Sequence, residues 1–266
     1  MNTISETTPA IQIRQLKKSY GQNRVLHGID LDIYPGQVIG YIGPNGAGKS
    51  TTVRILVGLD RNFEGSVMVG GLDVQKESLK VKKRVGYVPE NAELYDVLTP
   101  REFLTFVGRL QEMPQSLIDQ RMTSMLGFFS LQDHIDERMD TFSKGMRQKV
   151  LFISGLMHDP QIIFFDEPLS GLDANSVIMV KEIIARLADQ GKTIFYCSHM
   201  MDVVEKISDR IILIGNGRIL ADGTFDALKA EGGETLEQVF SQLTGQEDIQ
   251  QKAADFLNSL NGEEGE

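Results

Sequence analysis

Runs of hydrophobic residues, some alternating with polar ones, mark strands in the first part of the chain. Residues 11–16 alternate apolar and polar side chains, as a strand with one buried face does. The run 37–42 is almost wholly apolar, which is typical of a strand buried on both faces, and Pro35-Gly36 gives a turn before it. Further strand signals lie at residues 25–33, 66–69 and 84–88. We therefore expect this opening section to be rich in β-structure.

The spacing of apolar residues becomes helical near residue 98. Residues 99–102 form a capping box, with proline at the first helical position. The apolar residues that follow at helical spacing are Phe103, Phe106, Val107 and Leu110. Helical sequence continues through 117–129 and again through 146–157. These patterns predict a helical subdomain at about residues 98–157.

Beyond residue 160, strand and helix patterns alternate. The predicted strands are residues 162–166, 193–197, 211–214 and 218–221, and the predicted helices are residues 176–190 and 201–207. Asn216-Gly217 provides a two-residue turn between the last two strands. Strands that alternate with helices indicate an α/β fold with a mainly parallel sheet covered by helices.

Composition and charge limit the class of protein. Hydrophobic residues make up 41% of the 266 residues, which suffices for a packed core in one large or two small domains. No apolar run approaches the ~20 residues that span a bilayer, and the first residues do not resemble a signal peptide. The single cysteine, Cys197, cannot form an internal disulfide, which fits a reducing cytosol. The net charge of −10 argues against nucleic acid as a partner.

One motif indicates nucleotide chemistry. Residues 43–51 read Gly-Pro-Asn-Gly-Ala-Gly-Lys-Ser-Thr and match the phosphate-binding loop G-x-x-x-x-G-K-[ST]. Its glycines let backbone N–H groups approach phosphate oxygens at a helix N-terminus. A strand before the loop and a helix ending at Gly58 favour this interpretation over a glycine-rich turn. The candidate nucleotide-binding residues are Gly43, Pro44, Asn45, Gly46, Ala47, Gly48, Lys49, Ser50 and Thr51.

Two acids at a strand end supply the remaining chemistry of a nucleotide triphosphatase. Lys49 provides a positive charge for the β- and γ-phosphates of a nucleotide, and Ser50 a hydroxyl for Mg²⁺. Asp166 ends an apolar strand, where its carboxylate can hold Mg²⁺ through water. Glu167 follows, where it can orient the attacking water or accept its proton. A solvated acidic turn is the alternative, and the phosphate loop upstream disfavours it. The motif occurs once, so we expect one nucleotide site per chain.

Taken together, the motifs resemble those of the ATP-binding-cassette (ABC) ATPases, specifically their transporter subunits, over residues 11–237. Tyr20 matches the aromatic residue that stacks on adenine. Residues 142–148, which we call the signature segment, stand where the family usually has Leu-Ser-Gly-Gly-Gln. Residues 170–173 match the loop after the two acids, and His199 matches the switch histidine. Each match is weak alone, whereas all of them in this order are very specific.

The resemblance implies a P-loop NTPase core with an N-terminal antiparallel β-subdomain and an inserted helical subdomain, together spanning residues 1–245. It implies head-to-tail pairing, as a homodimer or with a paralogous ATPase subunit. Ser143, Gly145 and Asp173 of one chain then contact the ATP held by the other. Lys49, Glu167 and His199 are the implied catalytic residues. Since a serine is a common helix N-cap, Ser143 also has an ordinary structural explanation.

Transport by such a subunit requires a permease in a separate chain, so the resemblance implies a cytoplasmic protein on the inner face of the membrane. We expect residues 90–99, with Tyr95 and Leu98, to contact that permease. An alternative is a soluble ABC ATPase of translation or DNA repair, but those usually carry two cassettes, zinc-binding insertions or long coiled coils. A nucleotide-binding regulator without turnover is disfavoured because Lys49, Asp166, Glu167 and His199 are all present.

Three residues depart from the usual family pattern. Glu90 stands where glutamine is usual, and we expect it to bind Mg²⁺ with an altered pH or metal dependence, unless it is only a solvated acid. Lys144 and Met146 replace a glycine and a glutamine of the signature. With Glu90, they favour the bacterial branch that has a separately encoded, often export-type, permease.

The acidic tail 246–266 is either a short amphipathic helix or a frayed end. The apolar face of that helix would consist of Ile249, Ala253, Phe256, Leu257 and Leu260.

Overall fold

Two β-sheets organise the chain. The structure, a computed structural model, describes residues 8–90, 95–230, 235–244 and 257–259. The first sheet contains β1 (Ile11–Tyr20), β2 (Asn23–Ile33), β4 (Glu64–Val69) and β5 (Leu72–Asp73). Its order is β2-β1-β4-β5, and every paired strand is antiparallel. The predicted N-terminal antiparallel sheet is thereby confirmed.

The second sheet carries the parallel strands. It contains β3 (Val38–Ile42), β6 (Val85–Val88), β7 (Ile162–Asp166), β8 (Thr193–Cys197), β9 (Arg210–Gly215) and β10 (Arg218–Gly223). The order is β10-β9-β3-β8-β7-β6, with β10 antiparallel to β9 and all other pairs parallel. The carboxyl ends of β3, β8, β7 and β6 therefore meet at one edge, where open α/β sheets bind ligands.

Nine α-helices connect or cover these strands in the described part of the chain. They are α1 (Lys49–Leu56), α2 (Val74–Arg84), α3 (Pro100–Leu110), α4 (Gln115–Phe128), α5 (Lys144–Leu156), α6 (Ala174–Asp189), α7 (Met201–Ile207), α8 (Phe225–Ala230) and α9 (Leu236–Thr244). The capping box of α3 is confirmed, because Thr99 and Glu102 each accept a hydrogen bond from the other's backbone N–H, at 3.2 and 2.9 Å. None of these helices is long and apolar enough to cross a bilayer.

Hydrophobic side chains form two clusters, one on each face of the parallel sheet. One cluster joins α3, α4 and α5 to that sheet and to α6, α7 and α9. The other fills the space between the two sheets and around α1 and α2. The helical insertion thus shares its core with the sheet rather than forming a separate core. Of the five residues predicted to form the apolar face of the tail helix, only Leu257 lies among the described residues, and it is exposed.

Candidate functional site

The phosphate loop (residues 43–51) connects β3 to α1. A Cβ atom at Gly43 would lie 2.2 Å from the carbonyl oxygen of Ile214, so only glycine fits this contact. Gly48 has a φ of 105°, a left-handed conformation that side chains disfavour, and α1 begins at the next residue. The backbone N–H groups at the start of α1 are therefore presented to the cleft together with the positive end of the helix dipole.

Lys49 and a distant hairpin hold this loop in place. The Lys49 ammonium group donates hydrogen bonds to the carbonyl oxygens of Gly43 (2.6 Å) and Pro44 (3.2 Å). Behind the loop, the N–H of Gly217 donates to the carbonyl oxygen of Ala47 at 3.1 Å. Gly217 lies in the turn between β9 and β10. The loop conformation thus depends on contacts from more than 150 residues downstream as well as on its own glycines.

Asp166 is the last residue of β7 and is almost fully buried. Burial, together with the charges of Glu90 and Glu167, raises the pKa of Asp166 to about 6. The Ser50 hydroxyl and the Lys49 ammonium group act in the opposite direction but do not compensate. The acids at this edge of the sheet therefore repel one another, and a cation placed among them would relieve that repulsion.

The oxygens around Asp166 suit Mg²⁺, which prefers carboxylate, hydroxyl and phosphate ligands. Ser50, Asp166 and Glu90 all line the same cleft, so the predicted metal ligands lie together. The part of the chain that the structure describes holds no group of three or more His, Cys, Asp or Glu residues able to bind a metal by themselves. Two carboxylates and a serine hydroxyl form an oxygen donor set that fits Mg²⁺.

Glu167 is held through its backbone and both carboxylate oxygens. Its φ is 50°, an uncommon conformation for glutamate, and its N–H donates to the carbonyl oxygen of Cys197 at 2.9 Å. Oε1 lies 2.8 Å from Nδ1 of His199, and Oε2 accepts a hydrogen bond from the Ser198 hydroxyl at 3.0 Å. Glu167 is mostly buried, whereas the His199 side chain is 73% exposed.

A cleft of about 900 Å³ unites these groups. Every predicted residue of the phosphate loop lines it except Ala47, which is buried, and so do Glu90, Asp166, Glu167 and His199. Sequence reasoning missed five lining residues: Asn23, Val25, Ser198, Met201 and Phe240. They come from β2, from the end of β8 and from α7 and α9. Only Ser198, which adjoins the histidine of the motif, had a signal in the sequence.

Tyr20, the predicted adenine-stacking residue, does not line this cleft. Its hydroxyl donates to Asp60 at 3.2 Å, and the Lys18 ammonium group lies 4.7 Å from the ring centroid. Lys18 is itself buried and forms an ion pair with Asp60 at 2.7 Å. The Tyr20 side chain is about half exposed, so its adenine-stacking role stays a prediction.

The three residues predicted to contact the partner chain's ATP lie outside the cleft of their own chain. Ser143 is the N-cap of α5, and its hydroxyl accepts a hydrogen bond from the N–H of Met146 at 3.2 Å. Gly145 packs against the backbone of Gly171. Asp173 caps α6, and hydrogen bonds from Ser176 together with the Lys149 ammonium group hold its pKa well below its usual range.

Comparisons with known proteins show the family of this chain. A family model described as ABC transporter matches residues 26–170, which is more than half of the chain. The linearmycin resistance ATP-binding protein LnrL of Bacillus subtilis (strain 168) is 35% identical over 86% of this chain and 74% of its own length. The daunorubicin/doxorubicin resistance ATP-binding protein DrrA of Streptomyces peucetius is 36% identical, over 89% and 71%.

A solved structure described as the ATP-binding subunit of an ABC transporter superposes with a TM-score of 0.83. It is 27% identical in sequence, and the match covers 88% of this chain and 99% of that one. The two sheets and the helices that cover them agree with these matches. The chain therefore belongs to the ABC transporter family, as an ATP-binding and ATP-hydrolysing subunit.

Proposed function

We propose that the chain hydrolyses ATP in a composite site that two copies, or this chain and a paralogous subunit, complete head to tail. The single observation that carries this proposal is the division of the predicted site residues into two groups. Lys49, Asp166 and Glu167 line one cleft, whereas Ser143 and Gly145 lie outside it at the N-terminus of α5. A helix N-terminus with a serine hydroxyl and a glycine N–H suits a γ-phosphate, so a second chain would close the cleft.

Within the cleft, the chain's own residues bind ATP and activate water. The Lys49 ammonium group and the N–H groups of the phosphate loop hold the β- and γ-phosphates. Ser50, Asp166 and Glu90 hold Mg²⁺, which neutralises phosphate charge when it is bound. Glu167 accepts a proton from water as the water oxygen bonds to the γ-phosphorus and the bond to ADP breaks.

His199 connects Glu167 to the γ-phosphate in this proposal. Its Nδ1 faces Glu167, so its other ring nitrogen, Nε2, is available to the phosphate. A neutral imidazole has one N–H, and it donates to only one of these two acceptors. Donation to both requires the imidazolium form, in which each nitrogen carries a proton. His199 can therefore donate to Glu167 and to the γ-phosphate at the same time only when its ring is protonated.

The chain acts on the cytoplasmic face of a membrane, beside a permease encoded separately. Exposed apolar side chains support the predicted contact region: Tyr95 is 61% exposed and packs edge-to-face on Phe106, with ring centroids 6.2 Å apart. Val97 and Leu110 extend the exposed apolar surface. Leu98 is partly buried against the core, so Tyr95 is the better candidate of the two predicted contacts. Residues 91–94 of this region lie outside the described residues.

Transport is favoured over a role in translation or DNA repair. The relatives and the solved structure named above are resistance or transporter ATP-binding proteins. The resistance in two of those names belongs to those proteins, and it favours an export-type permease for this chain. A regulator without turnover is disfavoured because the acid, the histidine and the lysine meet in one cleft.

The test is Glu167→Gln, measured by ATP turnover and by size-exclusion chromatography with ATP. We expect turnover to fall by about 100-fold or more, since the base is lost, and ATP-stabilised dimers to accumulate. Glu182→Gln, which changes an exposed glutamate of α6, is the matched control and should behave as the parent chain. Normal turnover in Glu167→Gln would refute the assigned role of Glu167. Monomers under every nucleotide condition would refute the composite site.

A further inference from the structure

We propose that Ser198 is a positioning residue that fixes the carboxylate of Glu167 for water activation. This inference rests on the proposed role of Glu167 and deepens it. Ser198 follows β8 and is only 1% exposed, so its hydroxyl is shielded from competing solvent. It lies between the strand and the histidine of the switch position, and neither the motifs nor the cleft geometry alone assigns it a role.

The hydrogen bonds of Ser198 determine the direction of its proton. The N–H of Met200 donates to the Ser198 oxygen at 3.0 Å, and that oxygen lies 3.0 Å from Oε2 of Glu167. A serine hydroxyl has one proton to donate. Because the N–H of Met200 occupies an acceptor position and an ionised carboxylate can only accept, the proton of Ser198 is directed to Glu167. This is a charge-assisted hydrogen bond in a buried position.

The two hydrogen bonds to the Glu167 carboxylate differ in whether they can persist during the proposed reaction. His199 contacts Oε1 from a side chain that is 73% exposed, and in the proposed mechanism the same ring also serves the γ-phosphate. Ser198 contacts Oε2 from a buried position and has no other catalytic duty. When the imidazole donates to phosphate instead, the bond from Ser198 remains. It keeps Oε2 turned inward and leaves Oε1 to receive the proton of the attacking water.

The backbone of Glu167 makes such a restraint useful. Glu167 has a left-handed backbone conformation and directly precedes the segment 168–173. The N–H of Ser170 in that segment donates to the carbonyl oxygen of Glu167 at 3.1 Å. Movement of that segment would displace the carboxylate relative to the phosphate loop. The bond from Ser198 ties the carboxylate to the end of β8, which pairs directly with β3 and β7. A general base needs this kind of fixed geometry more than ATP binding does.

Three variants of Ser198 test the proposal through steady-state ATP hydrolysis. Ser198→Ala removes the donor, and we expect kcat to fall about 10- to 100-fold with the KM for ATP within about twofold of the parent. Ser198→Cys keeps a similar volume but donates weakly, so its kcat should fall nearly as far. Ser198→Thr keeps the hydroxyl and should restore most of the activity.

Ser208→Ala is the matched control. The Ser208 hydroxyl is also buried and, among the described residues, has no hydrogen-bond partner, so its loss should leave kcat within about twofold of the parent. Parent-like kcat in Ser198→Ala, or an equal loss in the Ala and Thr variants, would overturn the inference. If Glu167→Gln turns over normally, the proposed function fails first. A dead Glu167→Gln beside an unaffected Ser198→Ala overturns only the role of Ser198.

Discussion

At the scale of single residues, Asp166 shows that the site is built at the expense of stability. The residue is 4% exposed, and its pKa of about 6 lies above the ordinary 3.8 because burial and two neighbouring acids disfavour the charge. Between those two pH values the folded chain binds a proton that the unfolded chain has lost. Stability therefore falls as the pH rises through this window, and the full penalty remains above it.

We predict that Asp166→Asn stabilises the chain without nucleotide or Mg²⁺, because asparagine resembles the protonated acid. At pH 7.5 the gain should be on the order of 2 kcal/mol, or several degrees in Tm, and it should vanish toward pH 4. Glu90→Gln, which removes one of the two repelling charges, should give a smaller gain. Thermal unfolding from pH 4 to 8 measures both, with the exposed Asp189→Asn as control. A parent-like or lower Tm for Asp166→Asn at pH 7.5 contradicts the prediction.

At the scale of elements, α5 and the segment 168–173 are joined within one chain. The ammonium group of Lys149 lies 3.0 Å from Asp173, and that of Lys144 donates to the Ser170 hydroxyl at 3.2 Å. A Cβ atom on Gly145 would lie 2.8 Å from the carbonyl oxygen of Gly171. The segment begins directly after Glu167. In the proposed composite site, the signature segment that would contact the partner's ATP is thus connected to Glu167, the proposed base for the chain's own ATP.

We predict that Lys149→Met weakens this connection and lowers turnover at saturating ATP by about 3- to 10-fold, while stability changes little because the Asp173 side chain is exposed. Phosphate release and thermal unfolding measure the two effects. Lys181→Met is the control, because its amine is 3.9 Å from Asp202 on α7 and the residue does not line the cleft. Equal turnover in the two variants would show that the Lys149 contact has no role in coupling.

Sequence patterns predicted most of the strands and helices but missed β5, α2, α8 and α9. α2 was missed because it buries only Val74, Ser78 and Val81 among many lysines. β1 was predicted to end at Leu16, whereas it continues to Tyr20. Its pairing register shifts between Ile13 and Leu16, where Gln15 has a φ of 48°, and this irregularity breaks the alternation.

The residues of the cleft likewise include some that local patterns predicted and some that they missed. Local motifs predicted the phosphate loop, Asp166, Glu167 and His199, because each motif supplies its own geometry. Phe240 and Val25 reach the cleft only through tertiary packing, which no local pattern encodes. The support of the phosphate loop by Gly217 likewise depends on the order of strands in the folded sheet.

At the scale of the whole molecule, one early element and one late element of the chain both contribute to the cleft. β2 contributes Val25, and α9, which packs on α7 and α8, contributes Phe240. The cleft nevertheless lacks the signature segment, which lies elsewhere on the surface of the same chain. A chain with this layout cannot surround the γ-phosphate with its own Ser143 and Gly145, so one molecule alone is expected to be a poor ATPase.

Complementation between two inactive variants tests that expectation directly. Lys49→Ala loses phosphate binding and Ser143→Arg blocks the signature, so each homodimer should hydrolyse ATP close to background. In a mixed dimer both defects fall in one composite site, and the other site is intact. With random pairing, an equimolar mixture should recover about a quarter of the parent activity, because half of the dimers are mixed and each has one working site.

Phosphate release at saturating ATP measures the recovery, and Ser116→Arg, on the exposed face of α4, replaces Ser143→Arg in the control. That control variant should be active by itself. A mixture no more active than the sum of its two components would mean that each chain completes its own site.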